Sequence, residues 1–207
     1  MVLPKQIAVI GSGFSGLASA AYLAKEGYKV SVYEKNETIG GRARQFEQDG
    51  FTFDMGPSWY WMPEVFESFY NDFGYTTEDF YQLDRLTPAF NMVFDNQEVL
   101  SIPDRYEDLK EMFESIEKGS AAQLDLFMKD AKKKYDISFT DLIEQPSIKL
   151  SDFMNYTTIS NAVKLKIFSS YEKLVTKHFQ HPKLRSLMEF PVLFLGAKPK
   201  DTPALYS

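Results

Sequence analysis

Ile7-Ala8-Val9-Ile10-Gly11-Ser12-Gly13-Phe14-Ser15-Gly16-Leu17 is the stretch that decides the fold. An apolar run ends in Gly-x-Gly-x-x-Gly, and an alanine-rich helical pattern follows at once. Each glycine has its own task in such a turn. Gly11 permits the tight turn out of a strand. Gly13 carries no side chain, so a pyrophosphate can approach the backbone. Gly16 lets the helix pack closely on the strand. The free N–H groups and the positive end of the helix dipole then face the phosphates. A plain strand-turn-helix corner uses similar glycines, so the flanking sequence has to decide.

It does so in register. Leu17, Ala20, Ala21, Leu23 and Ala24 give the segment from Ser15 to Glu26 an apolar face at helical spacing. Gly27 stands where a helix ends. Val30-Ser31-Val32-Tyr33-Glu34 is then a second strand closing on a carboxylate. Glu34 lies about 20 residues beyond the glycines, where a Rossmann unit places the acid for the ribose hydroxyls. The fold class is α/β, built on a Rossmann-type βαβ unit.

Composition narrows the function. The 207 residues include 23 basic and 29 acidic side chains, for a net charge of -6. An acidic balance does not suggest a nucleic-acid partner. There is no cysteine, so disulfides, thiolate nucleophiles and cysteine metal sites are excluded, which fits a reducing cytoplasm. His178 and His181 are the only histidines. They are read as solvated helix-end residues, because no carboxylate spacing accompanies them, and no metal site is expected. No signal peptide or membrane-spanning window is expected either. Aromatics make up 15% of the chain, which suits either core packing or the lining of a large apolar ligand site.

Gly40-Gly41-Arg42 follows the second strand. Paired glycines let a loop pass close to a bound group, and Arg42 can then meet a phosphate or a developing negative charge. Together, Gly-x-Gly-x-x-Gly, Val32-Tyr33-Glu34-Lys35 and Gly40-Gly41-Arg42 resemble the FAD-binding start of the flavoprotein amine oxidase and carotenoid desaturase superfamily. Asp49-Gly50 is a hairpin turn between two alternating strands. Phe53-Asp54-x-Gly56-Pro57-Ser58 makes the chain similar to bacterial phytoene desaturases, most of all to the kind that uses FAD alone.

The resemblance implies roles residue by residue. Gly11, Gly13, Phe14, Ser15 and Gly16 would surround the FAD pyrophosphate. Glu34, followed by Lys35, would hold the adenosine ribose. Gly41 and Arg42 would lie along the diphosphate toward the flavin, and Gly56, Pro57 and Ser58 would pass beside the ring. Trp59-Tyr60-Trp61-Met62-Pro63 suits either an isoprenoid chain or a hydrophobic core corner. In some phytoene desaturases an Asp with an Arg three residues on forms a suggested acid/base pair. Asp152 matches the Asp and is the candidate catalytic residue. Asn155 stands at the Arg position and supplies no charge, so a helix N-terminal role for Asp152 remains the alternative.

The rest of the chain alternates elements. A helix begins at Pro63, presents Phe66, Phe69, Tyr70 and Phe73, and stops at Gly74. Tyr81 to Leu83, Ala89 to Phe94 and Glu98 to Ile102 read as strands. Asp104 is expected to cap a helix through Lys118, buried on Leu109, Met112, Phe113 and Ile116. A second helix runs from Ser120 to Tyr135, where Lys132-Lys133-Lys134 complements the dipole. An anionic-lipid contact is the sharper alternative, but three lysines fall short of the usual four to eight. Asn161 to His178 and Pro182 to Leu195 are further helices. Thr202 and Pro203 announce a last one.

The expectation is an FAD-binding Rossmann portion over residues 1–63. Part of an α+β substrate domain would cover residues 64–207, apparently truncated because no second glycine-rich segment follows Gly56. The resemblance implies the N-terminal portion of an FAD-dependent oxidoreductase that takes hydride from a carotenoid precursor. Its partners would be an isoprenoid or carotenoid substrate and a membrane surface, with the enzyme cytoplasmic and peripherally membrane-associated. A related polyene isomerase, saturase or amine oxidase is the second enzyme reading. A catalytically inert dinucleotide-binding fragment is the third.

Overall fold

The computed structural model describes residues 5–56, 59–95, 97–139 and 169–207. The chain forms two compact units, Met1–Leu83 and Asp84–Ser207.

In the first unit, strand β1 (Gln6–Ile10) and strand β2 (Lys29–Tyr33) pair in parallel, from Gln6 opposite Lys29 to Ile10 opposite Tyr33. Helix α1 (Phe14–Lys25) makes the crossover between them. The Gly11 N–H continues the ladder to the Tyr33 carbonyl at 2.7 Å. This is the βαβ unit that the glycines and the apolar runs predict. Gly16 is obligatory here, because a Cβ at that position would fall 2.1 Å from the Gly11 carbonyl oxygen.

A hairpin follows, with β3 (Gln45–Gln48) antiparallel to β4 (Phe51–Asp54). Asp49 and Gly50 form its turn, both with positive φ, as a two-residue turn matched to strand twist requires. Helix α2 (Pro63–Asp72) starts from Met62, which is itself left-handed at φ 56°. Its Phe66, Phe69 and Phe73 meet α1 through Phe14 and Tyr22, with ring centroids 5.2–5.7 Å apart. The Tyr22 hydroxyl donates to the Asp72 carboxylate at 2.5 Å. Tyr70 does not share this face, and stacks on Phe80 instead. Tyr81 to Leu83 is not a strand. Tyr81 packs its ring against Tyr60 and Tyr70 instead, and Leu83 is exposed.

The second unit holds the hydrophobic core. Strands β5 (Phe90–Val93) and β6 (Val99–Ile102) form an antiparallel hairpin. Helices α3 (Tyr106–Ile116), α4 (Ser120–Ile137), α5 (Tyr171–His178) and α6 (Pro182–Glu189) surround a cluster that includes Phe113, Leu124, Phe127, Val175, Phe179 and Leu184. Phe113 and Phe179 are fully buried and meet edge to face at 5.4 Å. Burial of each such side chain contributes about 1.5–3 kcal/mol.

Several helix ends differ from expectation. Asp104 does not cap α3. Arg105 occupies the cap position and makes no side-chain cap bond, while the Asp104 carboxylate pairs with Arg85 at 2.7 Å. Two acids near the end of α3 cap other helices. Glu114 accepts from the Gly119 and Ala121 N–H groups at the start of α4. Glu117 accepts from the Gln180 and His181 N–H groups at the start of α6.

The expected helix from Pro182 to Leu195 is α-helical only to Glu189 and continues as a 3-10 helix from Phe190 to Leu195. Pro191 explains the change, since it lacks an N–H and its ring clashes with the carbonyl one turn back. Residues 161–168 of the expected Asn161 helix lie outside the described residues. Thr202 and Pro203 do not begin an α-helix. Pro203 is extended and bridges Ser170, with only a 3-10 turn beyond it. Thr202 is buried, and its hydroxyl donates to the Lys198 carbonyl.

The three lysines do not act as one dipole-facing group. Lys132 pairs with Asp136 in the usual exposed way. Lys134 is buried, pairs with Asp130 at 3.0 Å, and donates to the Ala204 carbonyl and the Ser207 hydroxyl. His178 is half-buried rather than solvated, set between Gln123 and the Phe127 ring. His181 does sit at a helix end, where its Nδ1 accepts from the Lys183 N–H at the start of α6.

Candidate functional site

The site residues of the first unit gather at the carboxyl ends of β1 and β2. α1 begins after Gly13, which has no side chain to cap its first turn. The Gly13 carbonyl already accepts the Leu17 N–H, so the helix is fixed, and among the described residues no side chain takes its leading N–H groups. Such a terminus favours an anion.

The second glycine loop packs on the first. Gly40 N–H donates to the Ser12 carbonyl at 2.9 Å. A Cβ on Gly41 would stand 3.0 Å from the Gly13 Cα. Gly41 also has φ +61°, a conformation that a side chain disfavours. Gly56 closes on the same loop, where a Cβ would lie 3.2 Å from the Arg42 carbonyl oxygen. Arg42 itself is exposed in the 3-10 turn Gly41–Ala43. Three glycine positions, far apart in sequence, thus leave bare backbone in one place.

Glu34 follows β2 and reaches back to the glycine turn. Its Oε2 accepts from the Ser12 N–H at 2.8 Å and from the Ser12 hydroxyl at 2.7 Å. Its Oε1 accepts from the Asn36 N–H at 3.0 Å and from the Asn36 side-chain amide at 2.9 Å. These bonds hold the carboxyl at about 2, well below its ordinary value. The Asn36 backbone contributes most, then the Ser12 backbone and the Ser12 hydroxyl, against a smaller opposing effect of desolvation. Glu34 is therefore a fixed anion at neutral pH.

Ser12 and Asn36 were not singled out by the sequence. Ser12 stood as an unspecified position between two glycines. Asn36 stood two residues beyond the acid, the spacing at which an Asn backbone and amide can fold onto a preceding carboxylate. Phe14 and Ser15 are exposed in the first turn of α1, and Phe14 packs on Phe66 at 5.6 Å. Lys35 is exposed. Pro57, Ser58, Asp152 and Asn155 lie outside the described residues.

The uncapped helix, the stacked glycine loops and the anchored acid define a Rossmann-type dinucleotide-binding domain. The family model for a NAD(P)-binding Rossmann-like domain matches residues 9–73. By sequence the chain is similar to curated desaturases over nearly all of its length. It is 36% identical over 204 residues to a carotenoid 3,4-desaturase of Haloarcula japonica, covering 98% of this chain and 41% of that protein. It is 38% identical over 202 residues to a 4,4'-diapophytoene desaturase (4,4'-diaponeurosporene-forming) of Staphylococcus aureus, covering 98% and 40%. The chain thus spans about two fifths of the length of the curated relatives it matches.

Solved structures share the fold at low identity. A putrescine oxidase bound to putrescine matches with a TM-score of 0.52 and 17% identity, covering 98% of this chain and 40% of that one. A protein of Pyrococcus furiosus matches with a TM-score of 0.53 and 15% identity, covering 97% and 40%. The resemblance carried by the three glycine motifs is borne out.

Proposed function

We propose that this chain is the dinucleotide-binding, N-terminal portion of an FAD-dependent desaturase that oxidises carotenoid precursors. The observation that carries the reading is the Glu34 carboxylate anchored beside the bare backbone of Gly13 and Gly41. Homology to two carotenoid-pathway desaturases supports the substrate class.

The residues fit the adenosine and diphosphate parts of FAD. The α1 N-terminus would receive the pyrophosphate, with Gly11, Gly13, Ser15 and Gly16 leaving the approach open and Phe14 beside it. A Cβ on Gly41 would press on the Gly13 Cα, so bare backbone of the two loops meets beside the helix start. Glu34, held as an anion, would accept from the ribose hydroxyls, with Lys35 adjacent. Arg42, exposed at the second glycine loop, would balance the negative charge of the diphosphate. Gly56, Pro57 and Ser58 would pass the flavin end. FAD, when bound, supplies the acceptor for hydride from an allylic carbon of the substrate. Asp152 is the proposed proton-handling residue, with a helix N-terminal role as its competitor.

The test is direct. Purified full-length protein should show flavin absorbance, release FAD on denaturation, and convert a phytoene-type polyene to a more conjugated, visibly absorbing product. Stoichiometric NADP without flavin overturns the cofactor assignment. Flavin without polyene oxidation overturns the substrate assignment and favours an isomerase, saturase or amine oxidase.

The substrate class also implies a surface. Carotenoid precursors reside in lipid, and no helix among the described residues is long and apolar enough to cross a membrane. The proposal is that the enzyme docks on the cytoplasmic membrane surface to draw its substrate. Liposome flotation of the full-length protein checks this. Full activity on a soluble, detergent-free substrate with no flotation overturns it.

A further inference from the structure

We propose that Ser12 locks one oxygen of Glu34 onto the glycine turn, and that the Asn36 side-chain amide holds the seat on the other oxygen that a nucleotide ribose hydroxyl takes. The proposal rests on the dinucleotide reading above and deepens it. It assigns roles to two residues that the motif leaves blank.

A carboxylate offers about four lone-pair sites. At Glu34 four donors reach it at 2.7–3.0 Å, two from Ser12 on Oε2 and two from Asn36 on Oε1. A ribose hydroxyl that donates to Glu34 therefore has to displace one of them. The two sides are unequal. Ser12 is 1% exposed, and it is the only buried residue among the described residues of the first unit. If its hydroxyl left Oε2, a buried polar group would lose its partner. Its N–H is fixed by the glycine turn, whose Ser12 carbonyl is in turn held by the Gly40 N–H. Oε2 is thus the immobile side.

On Oε1 the Asn36 N–H is a backbone group of the turn after β2. The Asn36 side-chain amide is different. It sits on the exposed side of the carboxylate, and water can satisfy it as soon as it swings away. Of the four donors it is the cheapest to displace. Without nucleotide it keeps Oε1 from taking a water or a stray cation. On binding it yields to the ribose. Ser12 is a positioning residue and Asn36 is a displaceable cover.

The two roles predict opposite signs. The experiment measures ADP and FAD affinity of the full-length apoprotein by calorimetry for wild type, Ser12→Ala and Asn36→Ala. 2′,3′-Dideoxy-ADP, which lacks both ribose hydroxyls, is the control probe. Ser12→Ala should weaken ADP binding about tenfold, because Glu34 loses its orientation. Asn36→Ala should tighten it by about two- to tenfold, the range of one net hydrogen bond. Both effects should vanish with the dideoxy probe. That control separates positioning from a general loss of fold, which would weaken both probes alike.

Weaker ADP binding by Asn36→Ala overturns the proposal, since Asn36 would then be a ligand donor. Unchanged affinity in Ser12→Ala, or equal changes with the dideoxy probe, also overturns it. If Ser12→Ala does not fold, Ser12→Cys keeps the volume and removes the strong donor, and the Asn36 arm still decides. Wild-type protein that binds neither ADP nor FAD overturns the dinucleotide reading itself. Normal wild-type binding with the wrong variant response overturns only this inference.

Discussion

Gly41 stacks on Gly13 so closely that a Cβ on Gly41 would stand 3.0 Å from the Gly13 Cα. The two glycine motifs are therefore packed together, because the second loop cannot keep its path if Gly41 carries a side chain. Gly41→Ala meets both backbone crowding and a φ of +61°. Overpacking of this kind costs about 1–3 kcal/mol. The expected outcome is a matching loss of stability in urea and at least a tenfold loss of FAD affinity in the full-length protein. Gly27→Ala is the control. It has φ +86° but nothing within 4 Å of its would-be Cβ. It should destabilise without a specific effect on FAD.

Glu34 gives a pH signature. Its carboxyl is held at about 2 against an ordinary value of 4.5. A depressed acid binds fewer protons folded than unfolded, so its stabilisation is full above the unfolded value and disappears as pH falls through the folded one. The stability gap between wild type and Glu34→Gln should stay constant from pH 7 to about 5. It should then close progressively toward pH 2. Urea unfolding of both proteins across that range measures it. A gap independent of pH would mean that Glu34 does not make its Ser12 and Asn36 bonds in solution.

Much of the first unit was legible because its determinants are local. The βαβ unit follows from two apolar runs and three glycines within thirty residues. The Asp49-Gly50 turn follows from two backbone conformations that few other residues adopt. The aromatic face of α2 follows from helical spacing. The misreadings share a cause of another kind. Asp104 carries a good capping side chain, yet Arg85, nineteen residues earlier, holds it in an ion pair. Tyr81 to Leu83 alternates like a strand, but ring packing against Tyr60 and Tyr70 takes its place. Lys134 looks like a solvated helix-end lysine, but two of its partners lie 70 and 73 residues further on. Local pattern reports backbone preference. It does not report which distant polar group will claim a side chain.

Glu117 shows such a distant claim at work. It belongs to the end of α3, yet it accepts from the Gln180 and His181 N–H groups at 3.0 and 2.7 Å and so opens α6. It caps the approach to α6 from another helix, while the His181 side chain caps α6 itself. Glu117→Ala should cost about 0.5–2 kcal/mol, as loss of a cap does. Amide exchange should quicken at Gln180 and His181. Glu117→Gln keeps an acceptor oxygen and should recover part of the loss. Equal effects of the two substitutions would assign the contribution to packing rather than to the cap.

Lys134 is the most consequential buried charge among the described residues. Its side chain is 3% exposed and pairs with Asp130, which is 30% exposed. It also donates to the Ala204 carbonyl at 2.7 Å and the Ser207 hydroxyl at 2.6 Å. It thereby ties α4 to the segment that bridges Ser170 and covers α5. Lys134→Met keeps the aliphatic stem and deletes the donors. The Ala204 carbonyl then loses its charged partner, at a cost of about 1–3 kcal/mol. Lys134→Ala removes the stem as well and should cost a further 2 kcal/mol or roughly so, from the cavity. A solvated helix-end lysine would change stability by less than about 0.5 kcal/mol in either variant, and that result would place Lys134 at the surface. The local readout is hydrogen exchange. The Tyr171 N–H donates to the Thr202 carbonyl and the Ala204 N–H to the Ser169 carbonyl. Both amides should lose protection in Lys134→Met before the core amides of Phe113 and Phe179 do. Simultaneous loss at all four would show that the tie is part of global unfolding and not a separate fastening.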